Sequence, residues 1–430
     1  MDSEAPEFEF HPTKKLSSWD LFAMSAFWCG SNCIWGALLL IIIPKQVEEL
    51  VGAIYRGPAV GFLQGSGAIV ALTLPLFIGG MSDRCISRWG RRRPYIFWGS
   101  LVNLFGLFLM WQMGHRLSFA GYIIGFLVVQ VGNNIATAAY SGIIPDIVPL
   151  KQRGIASGFM GFMSQLGILF GIGISGWSYD VNPSWTYIGI GFLFLAFTVI
   201  TLLGTKEKPL TFKPPKIHWM TYIKSIWISP KEYPDFAWVW LTRFLVMLGF
   251  YAMQPYLLYF LQDIIHVTDP VRTAATLGGV ILLASTLSGL FGGWISDYMG
   301  HKKVVYIANT IIAVMASTLI FTRTLEQVLL VGLIFGIGYG AYISVDWALG
   351  TNVLPTRTNA AKEMAVWHIA MTLPQTLGGP IAGLLLAAFG VVKVNGVVAY
   401  TLNGYAAVLL LSTIAFALGA IGLKNVKGST

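Results

Sequence analysis

The chain has 430 residues, 55% of them hydrophobic and only 11% charged, with a mean hydropathy of +0.68, whereas soluble domains carry about 25% charged residues. This balance excludes a water-soluble globule and leaves a membrane-embedded fold. The formal net charge of +9 is gathered in loops between apolar tracts, which fits membrane orientation and argues against a nucleic-acid partner.

In chain order, segment 1–19 carries Asp2, Glu4, Glu7 and Glu9 without a basic n-region, so no cleaved signal is expected and the segment reads as a cytoplasmic tail. A bilayer core about 30 Å thick needs roughly 20 apolar residues per helical span. Twelve tracts meet that length: 20–43, 58–81, 94–113, 119–145, 154–176, 184–204, 237–262, 273–296, 303–321, 327–350, 362–389 and 398–423. They are continuous and rich in Leu, Ile, Phe and Gly, unlike the short alternating strands of a barrel. The expected fold is an all-α membrane protein with twelve transmembrane helices in two pseudo-symmetric six-helix bundles, 20–204 and 237–423. A linker, 205–236, joins them, and 424–430 forms a second cytoplasmic tail. With the N-terminus cytoplasmic, inner loops and tails hold 21 of the 28 Lys and Arg, outer loops hold 6, and Arg243 lies in a tract. That is the positive-inside pattern.

The first tract contains Cys29 and Cys33, and Cys85 follows the second; their spacing gives neither a disulfide framework nor a zinc site. No Walker A loop, HExxH or paired CxxC occurs, so neither a metal nor an organic cofactor is expected. The loop "SDRCISRWGRRRP", Ser82 to Pro94, concentrates five arginines after the second tract. Asp83 falls at a cytoplasmic helix end, where the dipole disfavours a carboxylate unless cations approach, and arginines supply bidentate compensation. "GIGISG", Gly171 to Gly176, fits a dinucleotide motif by letter but lies within the fifth tract. With Gly167 it reads as close helix packing. Within the linker, Ile217, Met220, Ile223 and Trp227 follow helical spacing beside Lys216 and Lys224, as in a helix lying on the membrane surface.

The loop pattern recurs across the linker. Gly79, Asp83 and Arg91 to Arg93 correspond to Gly293, Asp297, His301, Lys302 and Lys303, and "DIVPLKQRGIAS" corresponds to "NVLPTRTNAAKE". Two matched pairs argue for a duplicated six-helix unit. The expected cytoplasmic gate comprises Asp83, Arg84, Arg91, Arg92, Asp146 and Arg153, mirrored by Asp297, Lys302, Lys303 and Glu363, forming in one conformation and breaking in another.

Gly-xxx-Asp-Arg followed by a basic cluster resembles the loop between helices 2 and 3 of the major facilitator superfamily, over all twelve tracts. "SDRCISRWGRRRPYI" and "NNIATAAYSGIIPD" resemble the plant sucrose carriers and their animal proton-coupled relatives, and "VDWALGTNVLP" resembles bacterial members of that branch. The resemblance implies the major facilitator fold and alternating access, with the first and fourth helices of each half lining the cavity. Where plant sucrose carriers place an arginine in helix 4 this chain has Ser141, which points away from sucrose itself and leaves a sugar or glycoside.

Polar residues at membrane depth are costly and face a cavity or a partner. The expected substrate contacts are Asn32, Gln130, Asn133, Asn134, Gln254 and Trp347, amides bonding hydroxyls and aromatic faces stacking on a ring. Interhelical hydrogen bonding is the alternative role for each amide. Arg243, Asp346 and His368 lie at one depth, about 9 to 14 Å from the cytoplasmic ends at ~1.5 Å per residue. Asp346 is the expected proton acceptor, Arg243 its alternate partner and His368 a relay; a static Arg243–Asp346 pair is the alternative.

The function expected is secondary active, proton-coupled transport of a small polar organic solute, by a monomeric multi-pass protein of the cell membrane with both termini cytoplasmic. An exporter of drug-like molecules would favour an apolar cavity. A membrane-embedded enzyme should show clustered acids or bases, and the linker offers only Glu207, Glu232 and Asp235 in no recognisable arrangement.

Overall fold

The computed structural model of the chain describes residues 15–149, 152–205, 207, 209, 228–353, 360–394 and 397–426. Helix starts follow local chemistry. Ser17 and Asp20 form a reciprocal capping box for α1, Ser18–Ala37, and the Asn182 side chain caps α7, Pro183–Gly204, with proline in its first turn. After α1 the chain passes through a π turn, Leu38–Ile42, into α2, Ile43–Asp83. The first half continues with α3 (Arg93–His115), α4 (Phe119–Tyr140), the short α5 (Ile143–Ile147), α6 (Arg153–Ser178) and α7. The second half comprises α8 (Pro234–Met253), a 3-10 turn at Gln254–Tyr256, α9 (Leu257–Asp263), α10 (Pro270–Met299), α11 (His301–Leu319), α12 (Leu325–Asn352), α13 (Ala360–Gly390) and α14 (Leu402–Gly422).

Among the described residues, eleven helical stretches are long and apolar enough to cross a membrane. The first, Ser18–Asp83, has 66 residues, roughly 100 Å at 1.5 Å per residue, more than three bilayer cores. It contains two spans. Gly52 breaks it at φ 77°, ψ 169°, a backbone shape that glycine tolerates and side chains resist. Pro44 before the break and Gly57 beyond it both accept hydrogen bonds from one short segment, from Tyr259 and Tyr256 respectively, so the chain turns back there. The number of spans is therefore twelve.

Two details differ from the tracts read in the sequence. The seventh tract is not one continuous α-helix: Pro255 has no N–H to continue the ladder, and the 3-10 turn separates α8 from α9. An antiparallel hairpin, β1 (Val391–Val394) and β2 (Val397–Tyr400), joins α13 to α14. The amphipathic segment 217–227 lies outside the described residues.

Helices within each half approach to backbone contact. A Cβ on Gly167 would lie 2.2 Å from the Cys29 carbonyl oxygen and one on Gly171 2.0 Å from that of Cys33, joining α6 to α1. In the second half Gly336 and Gly340 stand 2.6 and 2.0 Å from the carbonyl oxygens of Ile281 and Ser285, joining α12 to α10. This is the close packing that small residues permit.

Candidate functional site

The two halves meet unevenly. At the face reached by the ends of α1, α9 and α13, here called the far face, α2 lies directly on α13: a Cβ on Gly61 would be 2.6 Å from the Gly379 oxygen. Gly176 of α6 likewise abuts Ala275 of α10. Toward the face bearing Ser18 and Asp83, the near face, Gly79, Gly158, Gly161 and Gly293 have no neighbour within 4 Å among the described residues. Among the described residues, the halves are thus in close contact at the far face, and these glycines make no such contact at the near face. Midway, Gln165 Nε2 donates to Thr286 Oγ1 across the halves at 3.1 Å.

The far-face contact is polar and buried. Arg56 of α2, 1% exposed, pairs with Glu48 on its own half and with Asp263 of α9 on the other. Its guanidinium lies 4.3 Å from the Tyr259 ring centroid and 5.2 Å from that of Tyr400. Tyr405 donates to Asp263 Oδ2 at 2.6 Å. The Tyr256 hydroxyl lies between two carbonyls, Gly379 of its own half at 2.7 Å and Gly57 across the seam at 3.0 Å, while Tyr400 donates to the carbonyl of Ile54 at 2.6 Å and Tyr259 to that of Pro44. The sequence reading missed this group. Arg56 and Glu48 stand between two tracts, where charges ordinarily face water, and only their joint burial against α9 distinguishes them.

At the near face Arg92 pairs with Asp83 and, at 2.9 Å, with Asp146. Arg91 Nε donates to Asp146 Oδ2 at 3.0 Å. Glu207, also missed, accepts from the backbone N–H of Arg92 at 2.9 Å and of Arg93 at 3.2 Å, so the start of the linker caps α3. Burial lifts the Glu207 carboxyl above its ordinary range, against those two N–H groups, which lower it. For Arg92 burial alone favours the neutral form, but Asp146 and Asp83 outweigh it and the group is held charged. Arg84 bonds the Gly80 carbonyl at 3.1 Å, at the end of its own helix.

The expected gate is thereby modified in two ways. Its first-half members Asp83, Arg91, Arg92 and Asp146 are joined to one another within the first half, where the network braces α2, α3 and α5. In the mirrored set, Lys302 Nζ donates to the Val426 carbonyl at 2.6 Å, tying α11 to the end of α14, while Lys303 is exposed. The side chains of Arg153, Asp297 and Glu363 lie outside the described residues.

In the membrane interior Arg243 of α8 and Asp346 of α12 form an ion pair, 1% and 2% exposed. The guanidinium also lies 4.9 Å from the Trp367 ring centroid and 3.7 Å from Met371 Sδ, both on α13. The His368 and Trp347 side chains lie outside the described residues. On the first half, Ser31 donates to Asn133 Oδ1 at 2.9 Å, and Asn134 donates to Gln130 Oε1 at 3.1 Å and to the Gln130 carbonyl at 2.8 Å. Asn133 is thus partly spent on packing α1 to α4, and Asn134 and Gln130 on a bond within α4. Asn32, half-buried, donates to the Trp28 carbonyl at 2.9 Å. The Gln254 side chain, half-buried at the 3-10 turn, has no hydrogen bond among the described residues and is not joined to the α1–α4 amides.

Among the described residues, twelve spans in two bundles, joined at the far face and carrying charges in the membrane interior, define a membrane protein built of two facing halves. Residues 21–361 match the Major Facilitator Superfamily, and the chain belongs to that superfamily. It is 23% identical over 266 residues to Sucrose transport protein SUC4 from Arabidopsis thaliana, covering 53% of this chain and 51% of that one. It is 26% identical over 199 residues to Proton-associated sugar transporter A from Homo sapiens, covering 41% and 25%. The chain thus spans about half the length of these curated relatives or less. A mutant of the nucleoside transporter NupG superposes with a TM-score of 0.73 at 13% identity, covering 95% of this chain and 99% of that one. A bacterial homologue of the human lysosomal transporter Spinster, inward-facing and unoccupied, superposes with 0.68 at 15% identity, covering 96% and 98%. These two likenesses establish the fold.

Proposed function

We propose that the protein is a secondary active carrier of a small polar organic solute, a sugar or glycoside, driven by protons through alternating access. The observation that carries this reading is the uneven contact between the halves, joined around Arg56 at the far face and, among the described residues, without such contact at the near-face glycines. The names of the plant and human relatives support a sugar. In this reading the near face is cytoplasmic, the protein works as a monomer in the cell membrane, and no cofactor beyond the coupling proton is needed.

Asn32 and Gln254, from the first helix of each half, offer amides to the solute, and Trp28, Trp35 and Tyr251, on the same helices, are half-buried. Asp346 takes the coupling proton and Arg243 stabilises its ionised form. Counterflow in proteoliposomes against a panel of sugars, with and without a proton gradient, tests the reading. Saturable counterflow of at least one sugar and gradient-driven accumulation of that sugar are expected; counterflow of none excludes the substrate class, and accumulation indifferent to the gradient excludes proton drive.

A further inference from the structure

The far-face lock holds one more carboxylate than cation. Glu48 and Asp263, 17% and 8% exposed, share Arg56, and with all three ionised the cluster bears one uncompensated negative charge in a buried place, which is strongly disfavoured. The other titratable groups against it are the phenols of Tyr259 and Tyr400 over the guanidinium, Tyr405 on Asp263 and Tyr256 beside Tyr259, and the Glu49 carboxyl, whose charge acts on Glu48. Glu49, next in sequence to Glu48, also interacts with Lys45, Tyr179 and Asp180. One proton on the carboxylate pair brings the cluster to neutrality.

The amide beside Glu48 is suited to accept from a protonated carboxyl. Gln262 Nε2 donates to Glu48 Oε1 at 3.2 Å, while Gln262 Oε1 is buried without a partner among the described residues. A protonated Glu48 supplies the donor that this oxygen lacks, after rotation of the amide. The rim of the same face points the same way. Asp180, in the turn before α7, meets Asp269, the N-cap of α10, from opposite halves. Burial and then the Asp269 charge raise the Asp180 carboxyl, against Lys45 and Arg272, which lower it.

We propose that closure of the far face takes up one proton onto the Glu48–Asp263 pair, making this lock a proton site separate from Asp346. The inference rests on the alternating-access reading. When the halves part at this face, Asp263 leaves with the second half, each carboxylate regains water, and the proton is released. The closed state therefore binds the extra proton, and the closed-to-open ratio falls as pH rises, by up to about tenfold per pH unit between the open-state and closed-state pKa values. Acid on the far side thus favours closing.

The test uses spin labels at Tyr55→Cys and Thr268→Cys, exposed far-face positions on opposite halves, in full-length protein in lipid nanodiscs. Cys85 is replaced and the buried Cys29 and Cys33 stay; His266→Gln, Asp180→Asn, Asp269→Asn and Glu49→Gln take the neighbouring ionisable side chains of the rim out of the parent. The closed, short-distance population should fall at least tenfold relative to the open one between pH 5 and pH 8. Glu48→Gln or Asp263→Asn alone leaves one carboxylate for Arg56, so each should stay closed throughout that range, whereas Arg56→Ala should open. A pH response that survives in both carboxamide variants, or one absent from the parent while Arg56→Ala still opens, overturns the proton site and leaves the carrier reading standing. A single distance in every variant, Arg56→Ala included, overturns both.

Discussion

Arg243 and Asp346 face each other where water does not reach, and Asp346→Asn separates a proton site from a fixed strut. A coupling role predicts loss of gradient-driven accumulation with counterflow retained. A strut predicts that both fail together with thermal stability, because stranding a buried guanidinium costs about 3–5 kcal/mol. Glu207 allows a second test. Its carboxyl is raised by burial in the fold, so the stability it contributes is fully present below its unfolded pKa and is lost as pH rises through the folded value. Glu207→Gln keeps an acceptor for the Arg92 and Arg93 N–H groups without a charge. The melting temperature of the parent relative to this variant should therefore fall as pH rises from about 4 to 8; a constant difference would rule the titration out. Arg243 and Asp346 were legible as a pair because a charge inside an apolar tract has few explanations. Arg56, Glu48 and Asp263 were not, because at tract ends a solvated charge and a buried one have the same sequence, and only the docking of α9 on α2 tells them apart.

The glycines of α2 report on the contact between the halves. A side chain at Gly61 runs into the backbone of Gly379 and Pro380 on α13, 2.6 and 2.8 Å away, whereas Gly79 on the same helix faces open space among the described residues. Gly61→Val should hold the far face apart and slow counterflow by an order of magnitude or more, while Gly79→Val should leave far-face closure unchanged. Thiol accessibility of the Tyr55→Cys position, measured in both backgrounds, checks the contrast. Helix existence was readable from apolar length, and helix starts from Asn182–Pro183 and Asp269–Pro270. The division between α1 and α2 was also readable, from the polar break between tracts, though the positive φ of Gly52 was not. The interruption at Gln254 and the hairpin at 391–400 were missed because length and apolarity do not register a one-turn change of helix type or a short outer strand pair.

At the scale of the whole molecule, the duplicated loop motifs predicted two related bundles, and the close contact of α6 with α1 has its counterpart in that of α13 with α8, where a Cβ on Gly378 would lie 2.9 Å from the Ala252 nitrogen. The far-face seam between the bundles does not share the symmetry. Three tyrosines of the second half, Tyr256, Tyr259 and Tyr400, reach across it to peptide carbonyls of Gly57, Pro44 and Ile54. A hydroxyl bound to a carbonyl reads the path of the main chain and is indifferent to the side chain attached. Replacing all three tyrosines with Phe should weaken closure by about 0.5–1.5 kcal/mol per bond, visible as a larger open fraction in the spin-label distances, whereas Ile54→Val or Ile54→Leu should change nothing. For these tyrosine bonds, mutational fragility is therefore lopsided: the second half carries the letters that must be kept, and Pro44 and Ile54 can drift as long as their stretch of backbone keeps its course.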